Sequence, residues 1–423
     1  MAVAAPATRR RSQWASNAEQ RALGRKHKPD YWLVALCMIL LAIGLIVVYA
    51  ISPALSASAK VSANYYVVKQ LIAIGLSGVA FVITSQIPIT YWKRAYKPLL
   101  VIAALATLAA VVMPVNVQYP AHRWIRLGSF SFQSVELLKF ALLMWLAGML
   151  SDRIKNGTIT ATNATLKPLL IAIVVIGLVV AGVQSDLGST GVIVGIIATM
   201  VFVAGMPLKR VLMIAGIILI GTVLAISTSA YRRERFSTYL HPAASCQTTG
   251  YQACQALIAV GSGGMIGLGL GRSVQAYGYL PEAANDSIFA IYAEKFGFIG
   301  VLVLLGIFVA FFNRIKTIAE RTDDDFSRLL VVGVLAWLSI QALINIGAMI
   351  GLLPLKGITL PFISYGGTSV VFLAAAVGLV FQISRYTSYT SPIGIEDRRT
   401  SNDNSRDGRR VRGAYHPNLG SRT

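Results

Sequence analysis

Charge is what this 423-residue chain has least of. Asp, Glu, Lys and Arg together make up 13% of it, where a soluble domain carries about a quarter. Acidic residues are scarcer still, 17 against 38 Lys and Arg, for a formal net charge of +21. A surface so poor in charge excludes an ordinary water-facing globule. Cysteine is limited to Cys37, Cys246 and Cys254, and histidine to His27, His122, His241 and His416. Their scattered spacing matches no zinc site. The Gly267-Leu268-Gly269-Leu270-Gly271 run lacks the Gly-Lys-Ser/Thr ending of a phosphate-binding loop, which excludes nucleotide binding of that kind. Basic charge is not gathered on one patch either. Fifteen of the 38 basic residues lie in the first 28 and last 39 residues, and most others flank apolar runs. Nucleic acid is therefore not an expected partner.

What is present is apolar sequence. Hydrophobic residues make up 55% of the chain, in repeated runs of about 20 that could each cross a bilayer. The expected fold class is an all-α polytopic membrane protein with ten spans, at about 31–52, 65–84, 98–114, 134–151, 167–183, 188–206, 209–229, 287–312, 327–352 and 364–385. The first run is too long for a signal-peptide core and reads as a retained helix. Ten spans put both termini on one side. With that side inside, 27 basic residues fall inside and 11 outside or within spans, so both termini are expected in the cytoplasm.

The domain organisation follows. Residues 1–29 form a basic cytoplasmic tail without fixed structure, 30–386 the ten-helix membrane domain, and 387–423 a second such tail rich in Arg, Asp, Asn and Ser. Residues 230–286 form a large extracytoplasmic loop between helices 7 and 8, long enough to be functional. Its glycine-rich part, 261–271, is too apolar for a flexible linker. A second outer segment, 115–133, mixes Trp124 with Arg123 and Arg126, as an interfacial helix or re-entrant piece would. Asp323, Asp324 and Asp325 read as a solvated acidic inner loop.

Ionisable residues in or against spans are costly, about 2.5–3.5 kcal/mol each at a helix centre, and so are informative. Glu136 and Lys139, three apart on span four, share a face; they form either a structural ion pair or part of a site. Asp186, between two apolar runs, fits an N-cap for span six. Asp286 follows Pro281 and Glu282 where span eight begins, and reads as an N-cap or as a carboxylate facing the outer headgroups. Glu294 and Lys295 lie further along that span, at the edge of the same cavity or in a structural pair. From Leu353 to Ser369, two prolines and the pair Gly366-Gly367 argue against continuous helix. That segment is either a tight connector or a broken backbone whose N–H groups, with Lys356, meet phosphate. Cys246 and Cys254, eight apart in the outer loop, fit a disulfide if that compartment is oxidising, and two buried thiols otherwise.

Taken together, His122-Arg123-Trp124-Ile125, Leu127 to Gln133 with Glu136-Leu137, Asp186-Leu187-Gly188-Ser189-Thr190, Pro281 to Asp286 and Lys356 to Gly367 resemble, in order, the motifs of the SEDS family of bacterial cell-wall polymerases. The resemblance covers about residues 30–386. Lys356-Gly357-Ile358-Thr359-Leu360-Pro361 and Arg123-Trp124-Ile125-Arg126 are more similar to the division branch, FtsW, than to the elongation branch, RodA. The resemblance implies a glycosyltransferase of the cytoplasmic (inner) membrane, acting at the division septum, that polymerises lipid II into peptidoglycan strands. The transfer is inverting, with polyprenyl diphosphate as leaving group. Asp286 is then the base. Arg123, Lys139 and Lys356 are the cations for the diphosphate, with room for a divalent cation, Mg²⁺ or Mn²⁺, to share that work. Glu136, Asp186 and Glu282 hold these in place, and Ser364, Gly366 and Gly367 belong to the substrate-binding segment. The implied partners are lipid II, a class B penicillin-binding protein supplying the transpeptidase, and other membrane proteins of the division complex. A lipid II flippase or transporter and a non-enzymatic division scaffold are the competing readings. The sequence departs from the family at Ser134-Val135 (usually Pro-Ser), Ser185 (usually Pro) and Ala284 (usually His), and its cysteine pair is not a usual family feature.

Overall fold

Apolar runs of this length must satisfy every backbone N–H and C=O internally, and the helix is the local way to do so. In the computed structural model, which describes residues 28–113, 123–127, 130–227, 230–240 and 246–387, each predicted run is helical. The chain forms α1 Tyr31–Ser58, α2 Tyr65–Gln86, α3 Ile89–Val112, α4 Ser134–Lys155, α5 Thr162–Val183, α6 Leu187–Val203, α7 Leu208–Ser227, α10 Ile288–Glu320, α11 Asp325–Met349 and α12 Gly367–Ile383. Between α7 and α10 lie two shorter helices, α8 Ala230–Leu240 and α9 Tyr251–Ser262. Eight of the described helices are long and apolar enough to cross a membrane, and α6 is a shorter apolar helix. The protein is an all-α polytopic membrane protein. The expected tails lie outside the described residues from 1 to 27 and from 388 to 423, as do His122, Gly128 and Ser129.

The helices sort by burial. In α4, 89% of the most apolar window is covered by protein, with 78% in α12 and 67% in α11, against about a fifth in α2, α3 and α5. The central three carry Glu136, Lys139, Gln341, Asn345, Ser369 and Gln382 buried, and protein rather than lipid must cover such groups. At one end of the bundle, Asp30 caps α1 through Leu33 N–H, pairs with Arg314 of α10 at 2.5 Å, and donates its own N–H to Ser384 Oγ at 3.0 Å. Lys93 of α3 meets Asp324 at 2.9 Å. These groups flank helix ends assigned to the inner side by charge. The inner loop is therefore not simply a solvated acidic stretch. Asp324 caps α11, accepting from Ser327 N–H, and Asp325 pairs with Arg328.

Of the outer segment 115–133, expected as an interfacial helix or re-entrant piece, the described part is not helical but an antiparallel hairpin, β1 Trp124–Leu127 with β2 Phe130–Gln133, in register from Trp124–Gln133 to Leu127–Phe130. Phe132 rests on Phe372 of α12, ring centroids 5.8 Å apart.

The 33-residue α10 is broken at Gly297, whose φ of 65° and ψ of −168° interrupt the ladder. The glycine-rich stretch supplies the missing bonds. Leu268 and Gly269 N–H donate to the Glu294 and Lys295 carbonyls, while Phe298 and Ile299 N–H donate to those of Gly264 and Met265, all at 2.9–3.0 Å. A Cβ at Gly263 would strike the Ala293 carbonyl, and one at Gly267 that of Lys295. The glycines are there for backbone-to-backbone approach. Gly297→Ala is expected to cost about 1–3 kcal/mol from its φ alone, with further loss from collision against Gly267. Gly306→Ala, on the same helix with open space around it, is the neutral control. Thermal unfolding of the detergent-solubilised variants measures both.

Candidate active site

Asp286 ends the outer segment just ahead of α10. The N-cap of that helix is Ser287, with no side-chain capping bond, so the Asp286 carboxylate is not spent on the helix end. Its Oδ1 accepts from Gln252 Nε2 of α9 at 3.5 Å, and the same amide donates to Ser287 Oγ at 3.1 Å. Ser287 Oγ in turn donates to the Pro281 carbonyl. Asn345 of α11 fixes the backbone, its Nδ2 donating to the carbonyls of Asp286 at 2.7 Å and Ile358 at 2.6 Å. Asp286 as a whole is 9% exposed. Burial pushes its pKa up to about 7, the Glu282 charge adds to the rise, and the bonds from Gln252 and the neighbouring backbone N–H groups hold it back.

Three other segments converge here. A Cβ built on Gly357 would lie 3.7 Å from Asp286 Oδ2 and 3.9 Å from an Arg123 guanidinium nitrogen, so the acid and the cation face one small space. Gly357 has φ of 64° and Lys356 precedes it. Arg123 is aimed by the loop ahead of α6, donating to the Gln184 carbonyl at 3.1 Å and the Ser185 carbonyl at 2.5 Å. That loop is fixed by Asp186, which caps α6 through Ser189 N–H and Oγ, both at 2.9 Å. Gly188 lets α6 close on the 356–358 backbone, since a Cβ there would lie 2.7 Å from the Lys356 carbonyl oxygen.

Beneath this surface runs a buried polar chain. Glu136 Oε1 takes Lys139 Nζ at 2.7 Å, and Lys139 also donates to Gln341 Oε1 at 3.1 Å. Gln341 Nε2 donates to the Thr359 carbonyl at 3.0 Å, and Thr359 meets Ser369 of α12 at 3.2 Å. Lys139 is 1% exposed and its Nζ is taken up by Glu136 and Gln341; of the named cations, Arg123 faces Asp286 across Gly357, and Lys356 is that glycine's neighbour in sequence. Lys139 is a link between α4 and the broken segment. Ser364 is likewise internal, its Oγ accepting from Leu360 N–H at 2.7 Å to close the turn. Gly366 caps α12 and Gly367 opens it. Tyr365 N–H donates to the Ala284 carbonyl at 2.8 Å, joining this turn to the Asp286 segment.

The outer loop is pinned from below. Glu294, fully buried, accepts from Ser273 Oγ at 2.5 Å and from the N–H groups of Val274 and Gln275 at 2.8 and 3.0 Å. Lys295 Nζ donates to the Leu270 carbonyl at 2.7 Å. Both act as loop anchors rather than cavity lining. Glu282, exposed and at φ 52°, bonds the Asn285 amide. Cys246 and Cys254 are joined in a disulfide, Cα atoms 5.5 Å apart.

Gln252, Gln341 and Asn345 went unread in the sequence. The signal for the last two was present: side-chain amides four apart on an apolar helix occupy one face. No group of three or more His, Cys, Asp or Glu placed to hold a metal ion occurs among the described residues. The donor set fits a divalent ion only of the kind that takes one or two carboxylates and completes its shell with water and substrate phosphate.

Comparison with known proteins is concordant over the membrane domain. Residues 31–389 match the family model of the cell cycle proteins FtsW, RodA and SpoVE. Stage V sporulation protein E of Bacillus subtilis is 37% identical over 86% of this chain and 99% of its own length. The probable peptidoglycan glycosyltransferase FtsW of Saccharophagus degradans is 37% identical over 84% and 92%. Among solved structures, a chain from a peptidoglycan synthase complex that coordinates polymerization and crosslinking superposes with a TM-score of 0.71, at 25% identity over 86% of this chain and 99% of that one. Thermus thermophilus RodA shares the fold, with a TM-score of 0.61 at 24% identity over 86% and 98%. The chain belongs to the FtsW/RodA/SpoVE family, the SEDS proteins, and is most like FtsW.

Proposed function

We propose that this protein is a peptidoglycan glycosyltransferase that polymerises lipid II on the outer face of the inner membrane during cell division. The single observation carrying this reading is the buried Asp286 carboxylate, uncommitted to helix capping and facing one space with Arg123. Names borne by relatives supply the substrate class. Both termini and residues 1–29 and 387–423 lie in the cytoplasm, and 230–286 on the outside.

In the reaction, the C4 hydroxyl of an acceptor GlcNAc attacks C1 of the donor MurNAc. Asp286 accepts the hydroxyl proton, the C1–O bond to the diphosphate breaks, and polyprenyl diphosphate leaves with the bonding pair. Attack opposite the leaving group turns an α-linked donor into a β-linked product. Arg123 and Lys356 meet the charge developing on the diphosphate. Were a divalent cation bound, Glu282 and the substrate's own diphosphate would hold it, and it would add neutralising charge at the leaving group. Asp186 aims Arg123, while Glu136, Lys139 and Ser364 keep the 356–367 segment in shape. The chain works with a class B penicillin-binding protein, which crosslinks the strands, and with other membrane proteins of the division complex at the septum.

The test is a gel assay on labelled lipid II with the purified protein and its cognate transpeptidase. Asp286→Ala should abolish the glycan ladder in a folded protein. No ladder from intact, partnered wild type, with lipid II movement in vesicles instead, would replace polymerisation by transport.

Ionised Asp286 is the competent base, and its pKa is raised to about 7. Activity should therefore climb with pH through an acid limb near neutrality. Glu282→Gln removes a charge that raises this pKa, so the limb should move to lower pH in rate-against-pH profiles. Lys139→Ala, which strands Glu136 in the core, should cost on the order of 3–5 kcal/mol of stability. Its signature is lost folded yield and melting temperature, not a raised KM for lipid II in whatever protein survives.

A further inference from the structure

The turn that carries Gln252 is closed by a covalent bond. Cys246 and Cys254 span it, and Gln252 lies two residues before Cys254 in the first turn of α9. Gly250 stands at the N-cap of that helix and offers no side-chain cap. A 12-residue helix with an uncapped start frays readily. Thr249 Oγ1 meets Thr238 Oγ1 of α8 at 3.0 Å, and Cys254 is 5% exposed. The crosslink is thus the strongest constraint on the turn whose amide reaches Ser287 Oγ at 3.1 Å and Asp286 Oδ1 at 3.5 Å.

We propose that Gln252 is a positioning residue for the Asp286 carboxylate and that the Cys246–Cys254 disulfide holds it there, so that catalysis on the outer face depends on this pair being oxidised. The inference rests on the assignment of Asp286 as base. A side-chain amide donating to a carboxylate favours its ionised form and fixes its orientation. The charged groups around Asp286 are Glu282 on its own segment, Arg123 beside Gly357, and Lys356 on the adjoining segment. The elements α9 and α11 present only the neutral amides of Gln252 and Asn345. Loss of the Gln252 bond therefore leaves Glu282 and burial to raise the pKa with less opposition. An oxidising outer compartment is where such a disulfide persists.

The experiment uses the full chain with its transpeptidase partner and compares wild type, Gln252→Ala, Cys246→Ser/Cys254→Ser, and the triple variant. Initial polymerisation rates are taken across pH. Gln252→Ala should move the acid limb up by about one pH unit, a loss of roughly tenfold well below it. The cysteine variant should move the limb in the same direction, and the triple variant should go no further than Gln252→Ala. A cysteine variant with the wild-type profile, or additive shifts in the triple variant, would overturn the proposal. Hydrogen exchange on the same folded proteins is the second readout. Loss of protection at both 246–256 and 284–290 on removing the disulfide supports the coupling, and loss confined to 246–256 contradicts it. If wild type makes no polymer, the glycosyltransferase reading fails, while the exchange result still decides whether the disulfide holds the Asp286 segment.

Discussion

One side-chain amide joins the pieces of this site. Asn345 Nδ2 donates to the carbonyls of Asp286 and Ile358, which belong to two irregular segments 72 residues apart in sequence. Neither segment is helical, and irregular backbone within a membrane bundle persists only where protein covers it and meets its polar groups. The amides of α11 do this twice over, Asn345 at the Asp286 level and Gln341 one turn earlier at Thr359. The remaining cover is close backbone packing: α1 approaches at Gly44, where a Cβ would lie 2.6 Å from the Ile363 carbonyl oxygen, and α6 at Gly188.

The scarcity of charge gives the site its contrast. Among the described residues within this bundle, most buried charges are committed: Lys139 to Glu136, Lys295 to the Leu270 carbonyl, Glu294 to three donors and Asp186 to its helix. Asp286 differs because, among the described residues, no ion pair or charged donor holds it, only neutral donors: the Gln252 amide at 3.5 Å and neighbouring backbone N–H groups. A buried carboxylate held by neutral donors alone, with a pKa near neutrality, suits reversible proton transfer better than structural support.

The ten helices were legible because their signal is cumulative: a run of about 20 apolar residues needs no detailed geometry. Boundaries blurred where the signal mixes, so α3 begins at Ile89 rather than near 98, its first turns being Tyr91, Trp92, Lys93 and Arg94. The pairing of 124–127 with 130–133 is not legible in the sequence, because Trp and Arg announce the headgroup level, as an interfacial helix or a re-entrant piece would, without announcing a period. The break in α10 turns on one glycine, Gly297, and on which backbone packs against it, a tertiary fact that local sequence does not carry. Asp286, Arg123 and Lys356 stood out as charges beside apolar runs and as parts of family motifs. Gln252, Gln341 and Asn345 did not, because a neutral amide barely disturbs an apolar window and its importance lies in partners distant in sequence.

The central claim is that a substrate's reacting atoms sit in the space shared by Asp286, Gly357 and Arg123. The most direct measurement is a structure of the Asp286→Asn protein with lipid II bound. The account predicts a sugar hydroxyl within hydrogen-bond distance of residue 286 and the diphosphate against Arg123 and Lys356. A lipid held elsewhere in the bundle, with this space still closed over by protein, would contradict it.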